Sequence, residues 1–251
     1  MKILNVICCY NEINYLPYVV KYYQLQNIDI FVLDNYSNDG TWDWLQSNGI
    51  ACERFDTGGA FDVVRQQNLR IEKYEELKPD WVIYGDADEF IITYEPIRDI
   101  IVKADKKNNN IIRLRKFDFR HTGEKREKKD PRSIYSYYEE NYQEFGGIQR
   151  IHKNIADISY NGDFIDFPDK KILDVTGFVL NYGGTKNKEM GRDLLKRRKK
   201  AWEKGLNKVY GWHYLDYEKR DWIWDKNKLL DIRKHEIWSY MNQNLTNLQK
   251  T

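Results

Sequence analysis

Two aspartates and a glutamate crowd one short stretch, Asp86-Ala87-Asp88-Glu89, directly behind the apolar run Trp81-Val82-Ile83-Tyr84. Side chains alternate along an extended backbone, so carboxylates at i and i+2 project toward one side of a strand end. Carboxylate oxygens are hard ligands, suited to Mg²⁺ or Mn²⁺, and a pair of them leaves coordination positions open for phosphate oxygens and water. The chemistry implied is cleavage or transfer at a phosphorylated substrate. An isolated Asp-x-Asp also occurs as a solvated strand end, so its surroundings decide its meaning.

Those surroundings are regular in the first hundred residues. Ile3 to Cys9 reads as a buried strand, and Ile13 to Gln26 as a helix whose start is marked by Asn11 and Glu12. Ile28 to Asp34 is a second strand. The turn cluster Asn35-Tyr36-Ser37-Asn38-Asp39-Gly40 leads to Thr41, which can cap a short helix to Gln46. Ala51 to Phe55 forms a third strand, and Asp62 to Leu77 a helix that Pro79 ends. Trp81 to Tyr84 is the fourth strand. Strands alternating with helices predict βαβ units in an α/β fold with a mostly parallel central sheet flanked by helices, whose ligands gather beyond the carboxyl ends of the strands. Cys9 to Glu12, Asp34-Asn35 and Asp86 to Asp88 should therefore converge on one crevice.

Further on the pattern loosens. Ile97 to Ala104 resembles a helix, Ile111 to Phe117 a strand, and Gly123 to Pro131 a charged loop. Glu144 to His152 leads into another strand, Val175 to Tyr182 is strand-like, and Lys188 to Lys204 is a basic helix before an aromatic tail. A chain of 251 residues with 41 basic and 39 acidic side chains is too balanced for nucleic-acid binding from bulk charge, although Lys125–Lys129 and Lys196–Lys200 are dense basic stretches. Three cysteines give neither a metal-binding spacing nor an even disulfide framework, which fits a reducing compartment. The start of the chain carries no long apolar segment, so neither a secretory signal nor a membrane span is expected, and a cytoplasmic location follows.

The stretches Val6 to Glu12, Val32 to Thr41 and Gly85 to Phe90 resemble, in this order, the nucleotide-sugar-binding half of family-two glycosyltransferases of the GT-A fold. A fainter similarity continues through Gly146 to His152 and Asn181 to Gly184. The resemblance implies a glycosyltransferase domain over residues 1–185, with a nucleotide-sugar half over about 1–100 and an acceptor half over about 101–185, and an aromatic-rich helical extension over 186–251. It implies a metal-dependent, inverting transfer of a sugar from a nucleoside diphosphate sugar to a hydroxyl of a glycan, a lipid-linked molecule or a protein, as in polysaccharide biosynthesis. A nucleic acid is not among the partners expected, whereas the basic helix could rest on a membrane surface.

Residue by residue, the resemblance assigns base and ribose contacts to Cys9, Tyr10, Asn11, Glu12 and Asp34. Arg65, Asn68, Gly85 and Ala87 would lie beside the donor. Asp86 would face the ribose or the metal's water shell, and Asp88 would bind Mn²⁺ or Mg²⁺ directly. Asn181 stands where relatives supply a further metal ligand, with His152 and His213 as other candidates. The base that deprotonates the acceptor is sought among Asp118, Glu144, Asp163 and Asp166. Asp166 is favoured because Phe164, Ile165 and Phe167 would desolvate it. Competing functions are a sugar-phosphate nucleotidyltransferase, which would want a Gly-rich loop after the first strand, and a non-catalytic carbohydrate- or protein-binding module on the same fold. The clustered tryptophans Trp202, Trp212, Trp222, Trp224 and Trp238 fit either helix packing or a sugar platform.

Overall fold

The computed structural model describes residues 1–125, 129–141, 147–161, 164–186, 188–206, 225–239 and 241. Strand β1 (Ile3–Cys9) is buried along its whole length. Its side chains alternate between two cores: Ile3, Ile7 and Cys9 face one, and Leu4, Val6 and Cys8 the other. Such two-sided burial is what a central strand of a helix-covered parallel sheet requires. β1 pairs in parallel with β2 (Asp29–Asp34) and with β4 (Trp81–Ile83), and β2 with β3 (Cys52–Arg54). Helices α1 (Leu16–Gln24), α2 (Thr41–Ser47) and α3 (Val63–Leu77) make the connections. Asp62 caps α3 by accepting from the Arg65 N–H at 3.0 Å. The predicted α/β layering is present. Helix α1 begins later than expected because Pro17 occupies its first turn.

The second half extends the sheet differently. The last residue of the acidic motif and the four that follow it, all buried, form β5 (Glu89–Thr93), a strand not anticipated from the sequence. Helix α4 (Ile97–Lys106) leads to the long β6 (Ile111–Phe119), and the single turn α5 (Pro131–Ile134) leads to β7 (Tyr137–Asn141). β8 (Ile148–Lys153) lies antiparallel between β4 and β6, while β11 (Ile172–Asn181) runs parallel to β6 and antiparallel to β5. One edge of β6 changes partner midway, from β8 at Ile111–Leu114 to β7 at Lys116–Phe119. Gly147 sits at this exchange with φ +117°, and a Cβ there would lie 2.3 Å from the Leu114 carbonyl oxygen, so only glycine fits. The short hairpin β9 (Ser159–Asn161) and β10 (Phe164–Asp166) stands apart, β12 (Leu230–Asp231) edges β7, and α6 (Lys188–Glu203) is the basic helix. No helix among the described residues is long and apolar enough to cross a membrane.

His152, a candidate metal ligand from the sequence, is instead a core residue. It is fully buried on β8, with the Tyr74 and Tyr160 rings beside it. The Lys153 carbonyl can only accept, so Nδ1–H donates to it at 2.9 Å and Nε2 accepts from the Tyr160 hydroxyl at 2.9 Å. Burial pushes its pKa down to about 4, against the weaker pull of the Lys153 carbonyl. Between that value and the ordinary value near 6.5 the unfolded chain binds a proton that the folded chain refuses, so stability must fall as pH is lowered through this window. The full effect is about 3 kcal/mol. Urea unfolding at pH 7 and pH 4.5 is expected to show a loss for the wild type that exceeds the loss for His152→Asn by roughly 2 kcal/mol; equal losses would contradict the buried, neutral imidazole.

Candidate active site

A cleft of about 1270 Å³ opens at the carboxyl ends of β1, β4, β6 and β11, with α6 across it. That is larger than a typical single-ligand pocket and leaves room for two substrates. Of the residues predicted to form the site, Cys9, Tyr10, Asn11, Glu12, Asp86, Ala87, Asp88 and Asn181 line this cleft.

The first wall is the loop after β1, sewn to the loop after β2. Asn11, at φ +57°, donates its backbone N–H to Ser37 Oγ at 2.8 Å, and its amide exchanges bonds of 3.0 and 2.8 Å with Asn38. The Glu12 N–H donates to Thr41 Oγ1 at 3.0 Å and the Ile13 N–H to Asp39 Oδ2 at 3.1 Å. This is why the turn is rich in Asn, Ser and Asp: short polar side chains satisfy backbone groups that two irregular loops leave open. Asp34 belongs to the same clasp. Its carboxylate is fully buried, accepts from the Ser37 N–H at 3.1 Å, lies 3.5 Å from Arg54 Nε and is outside the cleft lining. The side chain expected to read a base is thus engaged in closing the turn. Above this wall the Arg197 guanidinium from α6 sits 3.6 Å from the centre of the Tyr10 ring.

The second wall is the acidic turn, Gly85 to Glu89, between β4 and β5. Each of its three carboxylates meets one cation. Asp86 Oδ1 accepts from Arg70 Nη2 at 3.0 Å, and the same guanidinium reaches the Gly85 carbonyl at 3.3 Å. Asp88 Oδ2 lies 2.9 Å from Lys186 Nζ. Glu89, only 1% exposed, takes a two-pronged bond from Arg150 at 2.9 and 3.1 Å. Lys186 also donates to Glu12 Oε1 at 2.5 Å, while the buried Glu12 Oε2 has no hydrogen-bond partner among the described residues. Burial acts to raise the Asp86 carboxyl, but Arg70 and Arg150 outweigh it and hold it below the usual carboxylate range. Glu12 is pushed up to about 7 by burial, with Lys186 opposing. Burial likewise disfavours the Lys186 ammonium, yet Asp88 and Glu12 hold its pKa above the usual lysine value.

Asp86 and Asp88 suit a hard divalent cation that shares its shell with phosphate and water. Gly183 keeps the approach open, since a Cβ there would stand 3.2 Å from Asp88 Oδ2. The third predicted ligand fits less well, because Asn181 Oδ1 already accepts from the Gly183 N–H at 2.8 Å. Among the described residues no three His, Cys, Asp or Glu side chains gather as a metal cage. Among the described residues, Asp86 and Asp88 are the carboxylates of the acidic turn that line the cleft.

The remaining sequence-based assignments divide. On α3, Arg65 and Asn68 are exposed and Arg65 pairs with Glu72. Gln66 lines the cleft, and Arg70, one turn further on the same face, is buried and bonded to Asp86, so the guanidinium that serves the site was missed by the choice of helix face. Gly85 lies behind the lining, against the Asn5 amide. Asp166 is not at the site: strand alternation buries Ile165 and leaves Asp166 exposed, paired with Lys170 at 2.8 Å. Its flanking aromatic and aliphatic residues turn away from it rather than desolvating it. Asp118 does line the cleft, in register with Asn181 on the neighbouring strand and 3.8 Å from Lys116 Nζ. Glu144, Asp163, His213, Trp212, Trp222 and Trp224 lie outside the described residues. Trp202 is 43% exposed, and Trp238 packs on the larger core.

Removing Arg150 would leave the Glu89 charge buried without compensation, which typically costs about 3–5 kcal/mol. Arg150→Met is expected to lose that much in urea unfolding, and Arg150→Met combined with Glu89→Leu to regain most of it. A single-variant loss below about 1 kcal/mol would show the pair to be weakly coupled.

Residues 5–160 match the model of the family described as glycosyl transferase family 2. Solved structures with similar coordinates include S. aureus TarS, at 11% identity and a TM-score of 0.46, covering 86% of this chain and 42% of that one. S. aureus TarS 1–349 in complex with UDP-GlcNAc has 14% identity and a TM-score of 0.46, covering 82% and 67%. The glucosyl-3-phosphoglycerate synthase from Mycobacterium tuberculosis, in complex with Mn²⁺, UDP and glucosyl-3-phosphoglycerate, has 15% identity and a TM-score of 0.34, covering 46% and 44%. The chain thus spans less than half the length of that TarS chain. No curated protein matches the sequence.

Proposed function

Because the chain belongs to glycosyl transferase family 2, we propose that it transfers a sugar from a nucleoside diphosphate sugar to a hydroxyl acceptor, with inversion, using Mg²⁺ or Mn²⁺ held at Asp88. The observation that carries this reading is the pair Asp86 and Asp88 facing a cleft of two-substrate size at the carboxyl end of a central parallel strand. When bound, the cation neutralises charge that builds on the departing diphosphate. Asp86 is oriented by Arg70 and presents its other oxygen to a ribose hydroxyl.

Asp118 is the base in this scheme, since of the four acids considered it is the one that lines the cleft among the described residues. Its carboxylate takes the proton of the acceptor hydroxyl as that oxygen attacks the anomeric carbon from the face opposite the diphosphate. The acceptor is a glycan, a lipid-linked sugar or a protein hydroxyl, and the basic side chains of α6 at the cleft mouth suit an acceptor presented at an anionic surface.

Hydrolysis of a panel of nucleotide sugars with Mn²⁺, and with the metal chelated, tests the proposal. Asp88→Asn is expected to lower turnover by about 100-fold or more with unchanged circular dichroism; full activity would contradict the assigned role. Asp118→Asn is expected to lower transfer to an acceptor about 10²–10⁴-fold while nucleoside diphosphate affinity, read by calorimetry, stays within error. Equal transfer rates would remove Asp118 from the mechanism.

A further inference from the structure

Lys186 was not among the residues that sequence motifs singled out, yet it occupies the centre of the acidic site. It follows a 3-10 turn, Gly183–Thr185, pinned on both sides. The Thr185 N–H and hydroxyl both bond to the Tyr182 carbonyl, at 2.9 and 2.7 Å, and the same hydroxyl meets the Tyr15 hydroxyl at 2.9 Å. The side chain is 15% exposed and lines the cleft. An ammonium has three N–H donors. Two are used by Glu12 Oε1 at 2.5 Å and Asp88 Oδ2 at 2.9 Å, and the third has no acceptor among the described residues. With Glu12 ionised, two carboxylates and one ammonium leave the cluster net negative, which suits an added cation, while the remaining N–H suits an anion.

We propose that Lys186 is a diphosphate-binding residue of this site, donating its third N–H to a phosphate oxygen of the donor, and that without donor it is the counter-ion of Asp88, which a divalent cation must displace. The inference rests on the transferase reading above and adds to it a second, protein-borne positive charge on the leaving diphosphate. It has two consequences of opposite sign. Removing the ammonium takes away a competitor for Asp88, so a divalent ion alone should bind more tightly. It also takes away a phosphate ligand, so the nucleotide should bind more weakly. A lysine that merely supported the fold would weaken both.

The test uses the whole chain and two titrations. Mn²⁺ binding without nucleotide is followed by the loss of the free-ion electron paramagnetic resonance signal. UDP, GDP, ADP and TDP are titrated calorimetrically at saturating Mn²⁺, and the tightest is carried forward with its parent nucleoside as control. In Lys186→Met the Mn²⁺ dissociation constant should fall about threefold or more, and the diphosphate constant should rise about tenfold or more while the nucleoside constant is unchanged. Lys186→Arg should keep diphosphate affinity within about threefold. Lys186→Met combined with Glu12→Gln carries fewer uncompensated carboxylates and serves if the single variant does not fold. A wild type that binds no nucleoside diphosphate with Mn²⁺ overturns the transferase reading itself. A wild type that does bind, with Lys186→Met binding equally or with both affinities weakened together, overturns the role of Lys186 alone.

Discussion

Three carboxylates within four residues cannot share one turn at the end of a buried sheet unless positive charge is delivered to them, and this delivery organises the molecule. Arg70 comes from α3, Arg150 from β8 and Lys186 from the turn after β11. The three differ in what they leave available. Glu89 is closed off entirely by Arg150, so it serves to hold the turn in place. Asp86 keeps a side chain 54% exposed while Arg70 fixes its direction. Asp88 meets an ammonium that it shares with Glu12.

This explains why the sheet needs both of its halves. The parallel half, β3-β2-β1-β4, brings the loops after β1 and β2 and the start of the acidic turn to one edge. It contains only one of the three cations. The antiparallel additions provide the others, because β8 pairs directly with β4 and β11 pairs with β5, the strand that the acidic turn enters. β11 and β6 also set Asn181 and Asp118 side by side at the cleft. The acidic turn that the first hundred residues build is therefore completed by segments that follow much later in the chain.

The legibility of the sequence follows the same division. Periodicity and turn residues placed β1, β2, β4 and α3, because two-sided burial and capping are local signals. They also brought Tyr10 to Glu12 and Asp86 to Asp88 to one crevice. Asp34 sits at the right strand end and also closes the turn that follows it, its carboxylate accepting from the Ser37 N–H. The misreadings have physical causes. Arg65 was read as the donor-side cation and Arg70 was not singled out, although the helical period puts Arg70 and Gln66 on one face. For Asp166, adjacent apolar residues suggested burial, whereas a strand turns neighbours to opposite sides. His152 has polar partners in a core, which no spacing reveals. Lys186 carries no local signature at all, since its two partners lie elsewhere in the sequence and only the tertiary fold joins them.

The central claim is that Asp88 and Lys186 together form the seat of a nucleoside diphosphate. A crystal structure of the protein soaked with its tightest-binding nucleoside diphosphate and Mn²⁺ tests it most directly. The account predicts the ion on Asp88, bridging the phosphates, and a phosphate oxygen within hydrogen-bond reach of Lys186 Nζ. Phosphates bound elsewhere, with the Asp88–Lys186–Glu12 contacts intact, would contradict it.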